Sequence, residues 1–280
     1  MPHITEEEIK ALEKKATEVR ETIIRSLVQA KSGHTAGSLG MADIFTALYF
    51  HVMKHDPKNP EWPERDIMVL SNGHITPVRY AAMAHAGYFP VEECLTLRKF
   101  GSRLQGHPER DMLPGVETTS GPLGSGTSEA AGMALALKMD GKPNRVYCLT
   151  SDGEQQEGNT WEGVMFAAKY KLDNLVQIMD RNFIQIEGST EDVMPLEPMA
   201  DKYRAFNWHV IEINGNDMEE IVGTLEAAKA VKSKPTLILA NTIPGKGVKE
   251  IEGNYKWHGM PPKADQEESF IKQIREAAGI

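Results

Sequence analysis

Six side chains in this sequence have both the type and the local setting to do chemistry. Asp152 and Asn182 stand thirty residues apart, each separated by two residues from a preceding apolar run: Tyr147-Cys148-Leu149 before the first, Leu175-Val176-Gln177-Ile178-Met179 before the second. A carboxylate, an amide oxygen and the main-chain carbonyls that follow Asn182 are hard oxygen donors. Such a small set suits magnesium and leaves coordination positions open for phosphate. Taken alone, Asp152-Gly153 reads only as a turn; the asparagine at the end of the next run points to a metal. The other four are His34, His74, His107 and His258, all in stretches rich in Gly, Ser or Pro. Neutral imidazoles in loops suit proton transfer and hydroxyl recognition near pH 7.

The elements around them must bring these groups together. The segment from Tyr147 to Ser189 reads as strand, loop, helix (Glu157 to Lys171) and strand, the length of one βαβ crossover. Both strands of such a unit end on one edge of a parallel sheet, so Asp152 and Asn182 are expected to meet where open α/β sheets bind ligands. A capping box at Thr5 and Glu8 opens an amphipathic helix to about Ala30, which delivers His34 into a loop containing Gly37 and Gly40. A helix from Met41 to Phe50 is expected beyond it. Asp66 to Leu70 reads as a strand running into Ser71-Asn72-Gly73-His74, followed by a helix from about Val78 to Ala86. Gly121-Pro122-Leu123-Gly124, before a helix from about Ser128 to Met139, is a candidate phosphate cradle, because free amides and the helix dipole favour anions. Trp208 to Ile213 and Thr236 to Ala240 extend the sheet, with a helix over 219–231 between them. The fold class is therefore α/β: an open, mainly parallel sheet with helices on both faces, as one domain over 1–280.

Composition narrows the function. With 40% hydrophobic and 25% charged residues the chain is ordinary globular protein, and a formal charge of −9 argues against nucleic acid or an anionic membrane surface as partner. No apolar run reaches the roughly 18 residues of a membrane span. Cys94 and Cys148 lie far apart without metal-like spacing, which fits a reduced cytoplasmic protein. His51 and His55 are spaced to share a metal on a helix face, but no third ligand falls nearby and solvent exposure is expected. His85 and His209 sit inside helix and strand patterns and read as structural.

Asp152-Gly153 followed by Asn182 resembles the thiamine diphosphate motif, and the neighbouring Glu154, Glu157-Gly158 and Trp161-Glu162 resemble its transketolase version. Ser32-Gly33-His34, Ser71-Asn72-Gly73-His74, Gly106-His107-Pro108-Glu109, Pro114-Gly115-Val116-Glu117, Gly121-Pro122-Leu123-Gly124 and Trp257-His258-Gly259 extend the resemblance along the chain. The sequence departs from the family pattern at Thr35, Ala36 and Ser151, and after His74 at Ile75-Thr76 and Val78-Arg79. The resemblance implies a thiamine diphosphate-binding fold with magnesium held by Asp152, Asn182 and the main-chain oxygen of Ile184. It places Gly153, Gly121, Pro122, Leu123, His74, His258 and Asn182 against the cofactor. His34 and His258 would contact substrate oxygens, His107 the donor's first hydroxyl, and Glu157 would couple paired sites across a dimer.

The implied reaction is transfer of a two-carbon ketol unit from a ketose to an aldose, usually sugar phosphates of the pentose phosphate pathway. The family's activating glutamate belongs to a pyrimidine-binding domain for which nothing after Ile251 is long enough. A separate C-terminal transketolase subunit is therefore expected, with self-association of this chain giving a heterotetramer. Two alternatives stay open: a 2-oxoacid decarboxylase or dehydrogenase subunit, which would share Asp152 and Asn182 but not need the sugar-binding histidines, and a non-catalytic paralogue that keeps the fold. Asp152 is also expected to be a surface loop carboxylate whose removal spares the core.

Overall fold

The computed structural model describes residues 4–280. Five strands form one parallel sheet: β1 (Ile67–Leu70), β2 (Val146–Ser151), β3 (Leu175–Arg181), β6 (His209–Asn214) and β7 (Thr236–Asn241), in the order β1-β2-β3-β7-β6. A separate two-stranded hairpin pairs β4 (Ile184–Gln185) with β5 (Gly188–Ser189). The central strands β2, β3 and β7 are buried almost throughout because both sheet faces are covered, and their apolar residues alternate between two cores. Tyr147, Leu149, Val176, Ile178, Ile238 and Ala240 belong to one, Val146, Cys148, Leu175, Met179, Leu237 and Leu239 to the other.

The first core is closed by α1 (Glu6–Ala30), α3 (Ala42–Ala47), α4 (Thr76–His85), α9 (Met218–Ala228) and α10 (Glu267–Ala277). The second is closed by α5 (Ser125–Met139), α6 (Gly158–Lys169) and α8 (Met199–Ala205). Cys148 is fully buried in that core, as its place in an apolar strand predicts.

One boundary differs from the sequence reading in a way that matters for the site. Helix α2 (Ala36–Gly40) already contains Gly37 and Gly40, so the loop carrying His34 is short and tight. Both glycines serve close packing: a Cβ on Gly37 would lie 2.9 Å from Ile75 Cγ2, and one on Gly40 2.9 Å from the Ile243 carbonyl oxygen. The turn before His34 depends on backbone freedom, with Lys31 left-handed at φ 53° and Gly33 at φ 134°. The C-terminal helix α10 and the short α7 (Thr190–Val193) and α8 were not expected from the sequence pattern.

Candidate active site

All the groups singled out by chemistry lie at or over the C-terminal edge of the sheet. Asp152 follows β2 and Asn182 follows β3, with Ser151 and Asp180 in register between the two strands. The turn after Asn182 folds back over the aspartate. Phe183 N–H donates to Asp152 Oδ2 at 2.7 Å, and Ile184 N–H donates to Asn182 Oδ1 at 3.0 Å. Gly153 N–H donates to Asp152 Oδ1 at 2.7 Å.

Asp152 is not a surface residue, which corrects the expectation that it can be removed without touching the interior. It is 1% exposed, and its Oδ2 pairs at 3.0 Å with Nη1 of Arg181, itself fully buried. Arg181 continues outward to Glu191 at 2.7 Å and Glu197 at 2.8 Å. Burial pushes the Asp152 carboxyl up, and Arg181 pulls it back toward the charged form.

The histidines gather from three distant segments. His34 comes from the α1–α2 turn, His74 from the turn after β1, and His258 from the loop before α10. Their ring centroids lie 4.8 Å (His34–His74), 5.2 Å (His74–His258) and 5.6 Å (His34–His258) apart. Burial, reinforced by His258, Arg98 and His107, holds the His34 pKa down at about 4. Burial also lowers His74, with His34, His258 and His107 adding to it, and lowers His258. All three are neutral imidazoles at pH 7. His107 is exposed at the rim, and partial desolvation with the Arg98 charge lowers its pKa as well.

Sequence reasoning missed Arg98. Its Nη1 donates to Ser32 Oγ at 2.8 Å and its Nη2 to the Gly106 carbonyl at 3.3 Å, so one guanidinium joins the loops of His34 and His107. It packs flat on Gly106, where a Cβ would lie 2.7 Å from Arg98 Nε.

Several buried polar atoms here have no partner within the protein: Nδ1 of His34, Nδ1 of His258 and both side-chain amide atoms of Asn72. Unsatisfied buried groups are costly, so their concentration beside the sheet edge fits a polar ligand that completes them. Gly121 faces open space, since a Cβ there would touch nothing within 4 Å. Among the described residues no group of three or more His, Cys, Asp or Glu side chains is placed to hold a metal. A hard cation here would rest on Asp152, Asn182 and main-chain oxygen, which are oxygen donors of the right kind.

The departures at Thr35, Ala36, Ile75 and Ser151 are built into this packing. Thr35 Oγ1 donates to the Met260 carbonyl at 2.6 Å, tying the His34 turn to the His258 loop. The Ala36 carbonyl accepts from Gly245 N–H at 2.7 Å. Ile75 packs on Gly37, and Ser151 N–H donates to Glu154 Oε2 at 2.9 Å. Glu157 is exposed and starts α6, beside the Gly124 turn. The remaining histidines lie elsewhere. His51 is exposed, but His55 is packed, with its Nε2 at 2.6 Å from the Tyr49 carbonyl and its Nδ1 at 3.1 Å from Tyr88 OH. His85 is held by Thr22 at 2.9 Å, while His209 is exposed on the edge strand β6.

Residues 12–280 match the family described as transketolase, thiamine diphosphate binding domain. The chain belongs to this family. It is 46% identical over 249 residues to the 6-deoxy-6-sulfo-D-fructose transketolase subunit of Clostridium sp. (strain MSTE9), covering 89% of this chain and 90% of the relative. It is 41% identical over 269 residues to an apulose-4-phosphate transketolase subunit of Phocaeicola vulgatus, covering 96% of this chain and 95% of that one. Human transketolase is 38% identical over 274 residues, but there the match takes in 96% of this chain and only 43% of the human protein. Among solved structures, the transketolase of Pichia stipitis in complex with sedoheptulose 7-phosphate superposes with a TM-score of 0.90 at 33% identity, over 97% of this chain and 41% of that one. The chain thus carries the thiamine diphosphate-binding part of the transketolase fold and aligns with relatives that are named as subunits.

Proposed function

We propose that this chain is the diphosphate-binding subunit of a two-chain transketolase, transferring a two-carbon ketol unit from a ketose to an aldose, both usually phosphorylated. The observation that carries the reading is the convergence of three neutral histidine rings, with His107 at the rim, over the sheet edge that holds Asp152 and Asn182. A 2-oxoacid decarboxylase subunit would need the sheet edge but not the histidines. A non-catalytic paralogue has no reason to keep buried imidazole nitrogens unpartnered.

Asp152, Asn182 and the Ile184 carbonyl would hold a divalent cation, most naturally magnesium. Gly153, Gly121, Pro122, Leu123, His74 and His258 would line the thiamine diphosphate. When bound, the cofactor supplies the nucleophilic carbon and the electron sink that ketol transfer requires. The protein orients groups and moves protons. His34 and His258, held neutral by burial, accept from or donate to sugar hydroxyls without first losing a proton to solvent. His107 meets the donor's first hydroxyl at the rim, while Arg98 keeps its loop and the His34 turn in register.

The two relatives that are named as transketolase subunits align along nearly their whole length, which supports a single-domain subunit over 1–280 whose pyrimidine-binding partner is a second polypeptide. Their sugars, one bearing a sulfonate and one a phosphate, support an anionic sugar as substrate. Self-association is proposed through the packed pair α5 and α6, which exposes Met139, Met165, Phe166 and Tyr170. That arrangement makes a two-plus-two heterotetramer. A cytoplasmic location fits two free cysteines, both buried, and the lack of any helix among the described residues long and apolar enough to cross a membrane. The test is a coupled assay with xylulose 5-phosphate and ribose 5-phosphate. Activity is expected only when a pyrimidine-binding subunit is added, and robust turnover by the rigorously purified chain alone would refute the two-chain reading.

A further inference from the structure

We infer that Glu154 is a positioning residue that locks three cofactor-facing loops to one another. Its side chain is fully buried. Oε1 accepts from Gly124 N–H at 2.8 Å and from the Ser71 hydroxyl; Oε2 accepts from Ser151 N–H at 2.9 Å. Ser71 Oγ in turn accepts from Gly126 N–H at 3.1 Å. These contacts reach three separate pieces of chain. Ser71 leads into His74, Gly124 directly follows Gly121-Pro122-Leu123, and Ser151 directly precedes Asp152.

The geometry leaves little freedom. Gly124 is left-handed at φ 86°, and a Cβ there would lie 2.2 Å from Asn159 Oδ1 and 2.8 Å from Glu157 Cβ. A Cβ on Gly126 would lie 2.4 Å from Ser71 Cβ, so the first turn of α5 is pressed against the end of β1. Glu154 and Ser71 take up the Gly124 and Gly126 amides, two of the free N–H groups that a helix start would otherwise offer to an outside anion. An internal carboxylate therefore fills the inner side of the α5 N-terminus. A diphosphate is left with the outer face made by 121–123, and Glu154 sets where that face stands relative to His74 and Asp152. This assignment rests on the diphosphate reading above for what the loops hold, but the coupling of the loops is a property of the chain itself.

Glu154→Gln keeps the shape and breaks the pattern. All the surrounding backbone groups are donors, so the new NH2 must face the N–H of either Gly124 or Ser151, and that amide loses its acceptor. Two readouts are taken on the full chain: amide hydrogen exchange without cofactor, and calorimetric titration with thiamine diphosphate and magnesium. The released amide is expected to exchange roughly tenfold to a hundredfold faster, while β6 and β7 amides keep their protection. Cofactor affinity is expected to fall by about tenfold or more. Ser71→Ala, which releases the Gly126 amide and leaves the carboxylate in place, should give the same pattern with a smaller loss, and decides the matter if the Gln variant does not fold. Uniformly faster exchange with unchanged cofactor affinity in the folded protein would mean Glu154 only stabilises the fold and would overturn the proposal. A wild-type complex of this chain with a pyrimidine-binding subunit that takes up no thiamine diphosphate would instead overturn the functional reading, and the exchange pattern would still decide the loop coupling.

Discussion

The two halves of the candidate site are built on opposite principles. Around Asp152 nearly every polar atom is already spoken for by the protein: both carboxylate oxygens accept main-chain N–H groups, and Arg181 adds an ion pair. Around the histidines the reverse holds, with rings held together by packing while Nδ1 of His34 and of His258 finds no partner. The contrast teaches where rigidity and where spare hydrogen-bonding capacity are useful. A cation site must hold its donors still before the ion arrives, whereas a sugar site must keep donors and acceptors in reserve.

The sharpest way to break the comparison is Asp152→Ala. Removing one partner of a buried ion pair costs about 3–5 kcal/mol, and Arg181 keeps Glu191 and Glu197, so a loss near the lower end is expected in urea unfolding. Magnesium-dependent cofactor binding should vanish in the same variant. On the histidine half, His107→Ala should lower the turnover of ketose donors by about a hundredfold, within the range of a lost proton-transfer or hydroxyl contact. Cofactor affinity should stay within a few-fold of wild type. Steady-state rates and a cofactor titration on the reconstituted enzyme separate these two effects, and lost cofactor binding with normal activity per occupied site would place His107 in the wrong half.

How much of this could be seen in the sequence follows from how local each signal is. The βαβ unit holding Asp152 and Asn182 was legible because apolar runs and turns write it in consecutive residues. The parallel sheet followed from repeating that pattern. The histidine loops could be singled out one by one, but that His34, His74 and His258 share one small volume depends on packing between segments from opposite ends of the chain. Asp152 was misjudged as a surface group because its partner Arg181 reads as one more charge near a turn, and only strand register places it alongside. Glu154 stands out in the sequence only as part of the motif around Asp152, because its contacts belong to three separate segments. The C-terminal helix α10 was overlooked although Phe270, Ile271 and Ile274 have helical spacing and are buried.

Acid should sharpen the comparison further. His34 has a folded-state pKa of about 4, below the ordinary 6.5, so the unfolded chain binds the proton more readily. Its stabilising contribution is fully present above pH 6.5 and is lost as pH falls toward 4. Comparing His34→Asn with wild type at each pH isolates His34 together with its effect on His74, and the substitution should flatten the stability profile in that window. The smallest effect is expected from Thr35→Val, which keeps the shape and deletes the hydrogen bond to the Met260 carbonyl. A loss of about 1 kcal/mol in thermal unfolding is expected.

The central claim is that the edge formed by Asp152 and Asn182 is a magnesium–diphosphate site. Calorimetric titration of the wild-type chain with thiamine diphosphate, with and without magnesium, tests it most directly. Binding that requires magnesium and disappears in Asp152→Asn, which keeps the side chain's size while removing its charge, is the predicted result. Equal affinity with and without magnesium, or wild-type affinity in that variant, would contradict it.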